Sequence, residues 1–186
     1  ETCALEGEIR AERLKNWGIA PAARSAHPRE EHLLPQVDTK VMGYLRCAQI
    51  VAPLMKKSNW GRIINISGMQ ARNSGSAVGS IRNVAVAALT KNLADELGPS
   101  GITVSCIHPG LTRTEATESR IREQMEQKSK TRAEIESELS TQNSIRKLVD
   151  ASDVAALVTF LASPLSVAVT GEVIAAGGGV GTGIYY

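Results

Sequence analysis

Short apolar runs alternate with longer segments of helical periodicity over most of this 186-residue chain. Three of the runs have the length and β-branched content of buried strands. They are residues 62–67, 102–107 and 172–176. Glycine lies at both ends of the first and third runs, and the second begins after Gly101 and is closed by Pro109-Gly110, as is typical where a strand meets a turn. Strands that alternate with helices predict an α/β fold with a mainly parallel sheet.

Three segments have the apolar spacing of amphipathic helices. Their apolar positions are Val41, Leu45, Ala48 and Ala52; Val86, Leu89, Leu93 and Leu97; and Val154, Leu157, Val158 and Leu161. The second helix is expected over about residues 83–97, because Gly98-Pro99 follows it as a typical helix end. Residues 19–36 contain three prolines and scattered charges, so we expect a loop there.

Residues 111–149 stand apart because they are highly charged, with eight Lys+Arg and seven Asp+Glu. The spacing of Glu118 and Arg122, and of Glu126 and Lys130, favours ion pairs along a solvated helix. The sparse apolar positions are Ile121, Met125, Ile135 and Leu139. An insertion of this length between a strand and the next helix predicts a helical substrate lid.

The composition argues against several function classes. Lys and Arg number 21 against 19 Asp and Glu, and this net charge of +2 is too small for a footprint on nucleic acid or a membrane surface. The well-separated Cys3, Cys47 and Cys106 indicate neither a disulfide framework nor a metal cluster. No apolar run approaches the ~20 residues of a membrane span. We therefore expect a soluble cytoplasmic protein without a metal site and without a nucleic-acid or membrane partner.

Six segments, in this order and spacing, resemble the short-chain dehydrogenase/reductase family. They are GRIINIS (61–67), LTKNLADELG (89–98), GITV (101–104), IHPG (107–110) with Thr114, DVA (153–155) and TGEV (170–173). The resemblance covers roughly residues 37–179 and implies a single doubly wound, Rossmann-type domain over residues 1–186. It also implies NAD or NADP as cofactor, hydride transfer at a carbonyl or alcohol substrate, and a homodimer or homotetramer.

The family's N-terminal half is the part this sequence lacks. Members open with a strand, a glycine-rich turn and a helix N-terminus that hold the cofactor pyrophosphate. No such turn precedes the matching segments, so we expect an incomplete sheet, with residues 1–36 a poorly defined remnant. Omission of residues explains this better than a truncated gene product. Asn16 and Gly18 resemble the family's Asn-Ala-Gly motif, and the resemblance implies that they contact the cofactor.

The resemblance also implies catalytic positions, and each of them differs here. The family uses a Ser, a Tyr with a Lys four residues later, and a structural Asn. Alignment on the helix at 83–97 puts Gly79 at the Tyr position, Asn83 at the Lys position and Lys40 at the Asn position. Either Ser67 or Gly68 falls at the Ser position. Ser67 is therefore a catalytic candidate, and Asn83 is a candidate for catalysis and for contact with the cofactor ribose.

Further contacts are implied less directly. Pro109, Gly110 and Thr114 resemble the loop that presents backbone groups to the nicotinamide carboxamide. Arg82 lies one residue from the Lys position and is a weaker candidate to reach the same space. His108 is a candidate acid or base, because histidine has an ordinary pKa near neutrality. A variable residue before the Pro-Gly turn is the simpler interpretation of His108. Tyr185 and Tyr186 end the chain, either as a disordered tail or as a phenol supplied to a neighbouring subunit.

These features predict an NAD(P)-dependent oxidoreductase of the short-chain family with a degenerate active site. The alternative is an inactive member that binds a nucleotide or pairs with an active relative through the helices at residues 37–57 and 83–97. A non-redox enzyme on the same fold is a third possibility, because fold does not fix function.

Overall fold

The computed structural model describes residues 30–184. Its first helical segment is continuous: α1 (Glu30–Gln36), a π-helical stretch (Val37–Met42) and α2 (Gly43–Ser58). The other helices are α3 (Ala77–Leu97), α4 (Glu115–Lys128), α5 (Arg132–Ser140) and α6 (Ala151–Ala162). The strands are β1 (Gly61–Ile66), β2 (Ile102–Pro109), β3 (Thr112–Arg113), β4 (Val149–Asp150) and β5 (Val173–Ala176). Short 3-10 turns lie at residues 69–71, 98–100 and 164–166.

The central sheet has three parallel strands in the order β1–β2–β5. Ile63 lies opposite Val104, and Cys106 lies opposite Val173. The short strands β3 and β4 form a separate parallel pair where the charged insertion begins and ends. The prediction of an α/β fold with a parallel sheet is confirmed.

Helices cover both faces of this sheet. Side chains alternate between the two faces of a strand, and Ile63 and Val104 lie on the face that packs against Ala48 of α2 and Leu93 of α3. Arg62 lies on the opposite face, where its Nε donates to the carbonyl oxygen of Ser163, just after α6, at 3.3 Å. This arrangement is the doubly wound one that the family resemblance implies.

Helix α3 has the predicted buried stripe, with Val86, Leu93 and Leu97 each less than 9% exposed. It begins earlier than expected, however, at Ala77. The reason is the cap, because the Ser76 side chain accepts a hydrogen bond from the backbone N–H of Gly79 at 3.1 Å.

The loop predicted for residues 19–36 is wrong over its last residues, because Glu30–Gln36 is helical. Glu30 and Glu31 lie in the first turn, where acidic side chains favour a helix. The Pro35 ring interrupts the regular hydrogen bonding of a helix, and a π-helical stretch follows directly at Val37–Met42.

The charged insertion forms the helical hairpin α4–α5. Its sparse apolar residues pack into a small core made of Ile121, Ile135, Leu139 and Leu148, with Leu111 and Met125 against it. The predicted helices are therefore confirmed, while the role of residues 111–149 as a lid stays a prediction.

The two ion pairs predicted along a single helix are wrong. Glu118 contacts Arg132 at 2.7 Å instead of Arg122, and Lys130 contacts Glu138. The first pair joins α4 to α5, and the second joins the turn between these helices to α5, because packing of the apolar faces brings the charged faces of the hairpin side by side. Between residues 30 and 184, no helix combines the length and the apolar character needed to cross a bilayer.

Candidate functional site

The face of the sheet beneath α3 changes from apolar to polar along the strands. At the amino ends, Ile63, Ile102 and Val104 belong to the apolar core. Toward the carboxyl ends, the buried side chains on the same face are Asn65, Ser67, Cys106 and His108. Burial of polar groups is costly unless they are partnered, and ligands of parallel sheets bind at the carboxyl ends of strands. The candidate site therefore lies at this edge.

Lys40 reaches the same edge from the π-helical stretch, a type of helix that is frequent at functional sites. Its Nζ donates to the carbonyl oxygen of Ser67 and to Oδ1 of Asn83, each at 3.0 Å. Over the described part of the chain, no carboxylate lies within ion-pair distance of this amine. The acceptors of Lys40 are thus neutral oxygens.

This environment changes the acidity of Lys40. Burial disfavours the ammonium, the positive charge of Arg82 disfavours it further, and together they lower the pKa of Lys40 to about 8. Both protonation states of the amine are consequently accessible near neutral pH.

The structure brings the two predicted catalytic candidates together. Asn83 is 2% exposed, and its backbone carbonyl accepts a hydrogen bond from Ser67 Oγ at 3.0 Å. The hydroxyl hydrogen of Ser67 is therefore engaged with α3. A Cβ placed on Gly68 would lie 3.2 Å from Nδ2 of Asn83, so either residue proposed for the Ser position lies beside Asn83.

A tyrosine side chain at position 79 would fit only if Gln70 moved. A Cβ on Gly79 would lie 2.0 Å from Oε1 of Gln70, so the flexible Gln70 side chain occupies the space that a side chain at position 79 would enter. Of the chain's three tyrosines, only Tyr44 is in the described range. Its hydroxyl donates to the carbonyl oxygen of Ile66 at 2.8 Å, and burial raises its pKa.

His108 is the functional candidate that sequence reasoning undervalued. It is 2% exposed, and neither ring nitrogen has a hydrogen-bond partner within residues 30–184. Burial, followed by the charges of Arg72 and Lys40, lowers its pKa to about 4, so the ring is neutral at pH 7. A buried polar group without a partner is uncommon in proteins. Strand parity, which puts His108 on the face of Cys106, was the available signal.

The predicted loop residues occupy two different environments. Gly110 donates its N–H to the carbonyl oxygen of Ala176 at 3.2 Å, and a Cβ on Gly110 would lie only 2.7 Å from the Cα of Gly177. The turns after β2 and β5 therefore touch, with Pro109 at the end of its strand. Thr114 instead caps α4, because its hydroxyl accepts a hydrogen bond from the N–H of Thr117 at 3.3 Å.

Several predicted residues fall elsewhere. Asn16, Gly18, Tyr185 and Tyr186 lie outside the described residues. Arg82 contacts Gln36 rather than the cluster around Asn83, through Nη1 and Oε1 at 2.6 Å.

A cleft of about 320 Å³ adjoins this edge of the sheet. It lies between Met69 and Arg72 after β1, Ala175 at the end of β5, Ser144 after α5, and the glycine-rich segment 177–183. Arg72 Nη2 donates to the carbonyl oxygen of Val173 at 3.0 Å. In the region the structure covers, no group of three or more His, Cys, Asp or Glu side chains is arranged to hold a metal ion.

Comparisons with known proteins agree with this fold. A family described as enoyl-(acyl carrier protein) reductase matches residues 13–181. The NADPH-dependent reductase BacG of Bacillus subtilis is 31% identical over 142 residues, which are 75% of this chain and 55% of BacG. The short-chain reductase protein NovJ of Streptomyces niveus is 34% identical over 144 residues, which are 77% of this chain and 53% of NovJ.

Among solved structures, YwfH is described as an NADPH-dependent reductase involved in bacilysin biosynthesis. It superposes with a TM-score of 0.76 at 28% identity, over 85% of this chain and 61% of YwfH. The chain spans about half the length of the curated relatives it matches.

Proposed function

This chain belongs to the short-chain dehydrogenase/reductase family, and we propose that it acts as an NAD(P)-dependent oxidoreductase on a carbonyl or alcohol substrate. The names of BacG and YwfH describe NADPH-dependent reductases, and the proposal extends that activity to this chain. The observation that carries it is the Lys40 amine, held by neutral oxygens of Ser67 and Asn83 at the carboxyl edge of the sheet.

The residues at this edge fit the nicotinamide end of such a cofactor. His108 has two buried ring nitrogens that lack partners in the described structure. Lys40 donates two hydrogen bonds, and an ammonium group has three N–H donors. The close approach of Gly110 to Gly177 lines the neighbouring turn with backbone rather than side chains. We propose that these groups, with Asn83, hold the nicotinamide and its ribose.

The other predicted cofactor contacts are Pro109, Thr114, Asn16 and Gly18, and they differ in how far the structure supports them. Pro109 precedes the turn that Gly110 forms, so it fixes the direction of that backbone. Thr114 lies further along, where its hydroxyl caps α4, and Asn16 and Gly18 stay predictions for the part of the cofactor beyond the described residues. The choice between NAD and NADP also stays open in this proposal.

The chemistry of carbonyl reduction defines what this chain must supply. A bound nicotinamide cofactor supplies the hydride, and the protein supplies a proton to the oxygen. Neutral His108 is able to donate a hydrogen bond without releasing a proton. Ser67 stays a catalytic candidate, although its hydroxyl hydrogen is engaged with the Asn83 carbonyl. Replacement of Ser67 by Ala tests that role through kcat.

The cleft and the surface suggest the substrate and the partners. We propose that a small carbonyl compound binds in the cleft beside Arg72, beneath residues 111–149. Exposed apolar side chains on α2 and α3 support a homodimer or homotetramer; they are Ile50, Leu54, Ile81 and Val84. Cys47 and Cys106 are free thiols, which supports a reducing compartment such as the cytoplasm.

The activity is tested with the full-length protein. NADH and NADPH oxidation are followed against a panel of aldehydes and ketones, and cofactor binding is followed by quenching of protein fluorescence. We expect binding of at least one cofactor and turnover of at least one carbonyl. Absence of both contradicts the proposed function.

A second candidate function is favoured by one observation, the loss of a phenol at Gly79. An inactive member would bind the nucleotide or form oligomers without chemistry. The double variant Gly79→Tyr with Asn83→Lys distinguishes the two functions, because Gln70 is flexible enough to move aside. If this variant gains activity that the natural protein lacks, the second function is supported. Turnover by the natural protein excludes it.

A further inference from the structure

We infer that Lys40 is the cation and the proton donor of this site, in place of a Lys at position 83. In this arrangement Lys40, held by Asn83 and Ser67, gives the substrate oxygen its proton. The inference rests on the proposed function and names the residue that performs its proton transfer.

The geometry of the Lys40 amine supports this inference. Lys40 Nζ lies 3.0 Å from both the Ser67 carbonyl oxygen and Asn83 Oδ1. These contacts use two of the three N–H donors of an ammonium group, and the third has no acceptor within the described residues. Lys40 is only partly buried, so the remaining donor is open to a bound molecule.

The side chains of positions 40 and 83 also meet at one point. Because the Lys40 amine contacts the Asn83 amide directly, a cation extended from either backbone position reaches the same region. The family resemblance puts Asn at the position of Lys40 and Lys at the position of Asn83. The two residue types are thus exchanged between two helices, and the positive charge stays at the same edge of the sheet.

The titratable groups around Lys40 do not release a proton near neutral pH. The Tyr44 hydroxyl donates to Ile66 and its pKa is raised by burial. Burial raises the pKa of Cys106 to about 11, while burial lowers that of His108 to about 4. Lys40, with a pKa lowered to about 8, is the group whose ammonium form is both populated at pH 7 and acidic enough to act.

The proton transfer balances as follows for reduction. A bound reduced nicotinamide would supply the hydride for the new C–H bond and would itself be oxidised, while the carbonyl π bond would break and the oxygen would take a proton from Lys40 Nζ. The neutral amine then recovers a proton from water. In alcohol oxidation the neutral amine accepts the hydroxyl proton, so the required protonation state of Lys40 is reversed.

This reversal predicts opposite pH dependences for the two directions. Reduction slows as the pH rises through the pKa of Lys40, about 8, because the ammonium is lost. Oxidation accelerates over the same interval. The groups that face Lys40 are Arg82 from α3 and Cys106 and His108 from β2. Arg82 stays charged throughout this range, and the shifted pKa values of Cys106 and His108 lie well away from 8.

The test compares Lys40→Met, Lys40→Arg and the exchange variant Lys40→Asn with Asn83→Lys in the full-length protein. We expect Lys40→Met to lower kcat for reduction by about 100-fold or more. Lys40→Arg keeps the positive charge. It is expected to lose the fall in kcat near pH 8, which is the alkaline limb of the pH profile, because a guanidinium does not deprotonate there. A single variant Lys40→Asn is measured beside the exchange variant. We expect kcat of the exchange variant to be at least about tenfold higher than kcat of Lys40→Asn. Lys91→Met, at an exposed position, is the matched control.

A second readout is the dissociation constant of NADP⁺ measured by fluorescence titration, with circular dichroism to confirm folding of each variant. We expect Lys40→Met to raise this constant and the exchange variant to restore it. If the natural protein reduces no carbonyl, the proposed function fails and the inference fails with it. If the natural protein is active and Lys40→Met keeps its rate and its alkaline limb, the inference alone is overturned.

Discussion

The Nζ atom of Lys40 lies 3.0 Å from Oδ1 of Asn83, and the two residues are 43 positions apart in the chain. The acceptor is a neutral amide, so it accepts a hydrogen bond from the ammonium without bringing a negative charge beside it. Burial therefore dominates the acidity of Lys40 and lowers its pKa. We therefore expect that a charged residue at position 83 would control the protonation of Lys40.

Asn83→Asp tests this control. A carboxylate beside Lys40 favours the ammonium, so we expect the alkaline limb of carbonyl reduction to move upward by about 1–3 pH units. The limb is measured from kcat at a series of pH values. Asn83→Leu, which leaves the amine without this acceptor, is expected to cost about 1–3 kcal/mol of stability in urea unfolding. An unmoved limb in Asn83→Asp contradicts the assignment of that limb to Lys40.

His108 makes a prediction about acid stability. Its folded pKa is lowered to about 4, while the unfolded chain binds the proton with an ordinary pKa near 6.5. Stability that is present above pH 6.5 is therefore lost as the pH falls toward 4, by up to about 3 kcal/mol from this group.

The measurement is urea unfolding of the natural protein and of His108→Phe between pH 7 and pH 4. We expect the variant to lose less stability over this interval, because it carries no imidazole to protonate. His32→Gln is the matched control, since the His32 side chain is 51% exposed. Parallel curves for the natural protein and His108→Phe are the result that this account does not allow.

Gly110→Ala is expected to destabilise the protein, because the added Cβ would lie 2.7 Å from the backbone Cα of Gly177. Backbone cannot move as cheaply as a side chain, so we expect a loss of about 1–3 kcal/mol, typical of overpacking. Gly98→Ala is the control, since nothing lies within 4 Å of its Cβ position and its φ of −52° suits alanine. Equal melting temperatures for the two variants would show that the turns are free to separate.

Leu54→Glu tests the proposed subunit interface. Leu54 is 62% exposed on α2, beside other exposed apolar side chains, and a charge at the centre of an apolar interface opposes association. We expect light scattering to show a mass that falls from oligomer to monomer. Leu165→Glu is the control, because Leu165 is 82% exposed after α6 and lies outside this surface. An unchanged mass for Leu54→Glu argues against α2 as the interface.

Local sequence patterns were sufficient for most of the fold. The three strands of the main sheet are β-branched or apolar runs bounded by glycines, so their neighbours in sequence define them. The missed segment, Glu30–Gln36, contains Pro35, which masks its helical character. The early start of α3 is not evident from the sequence, because Gly79 is a poor helix former in its first turn. The Ser76 cap stabilises this turn.

The site was predictable only in part. Ser67 and Asn83 were found because they lie in segments that resemble a known family. The contact between Lys40 and Asn83 depends on how two helices pack over the sheet, and local periodicity contains no such distance. The burial of His108 likewise depends on how the chain packs around the sheet, although the parity of its strand indicated the face on which it lies.

In the proposed mechanism, Lys40 donates to the molecule bound at the carboxyl edge of the sheet. Acetylation of individual lysines by acetic anhydride, followed by mass spectrometry over a range of pH, measures it directly in the full-length protein. We expect Lys40 to titrate near pH 8 and NADP⁺ to slow its acetylation, while exposed Lys91 reacts equally with and without cofactor. Acetylation of Lys40 at the same rate in the presence and absence of saturating NADP⁺ would contradict the claim.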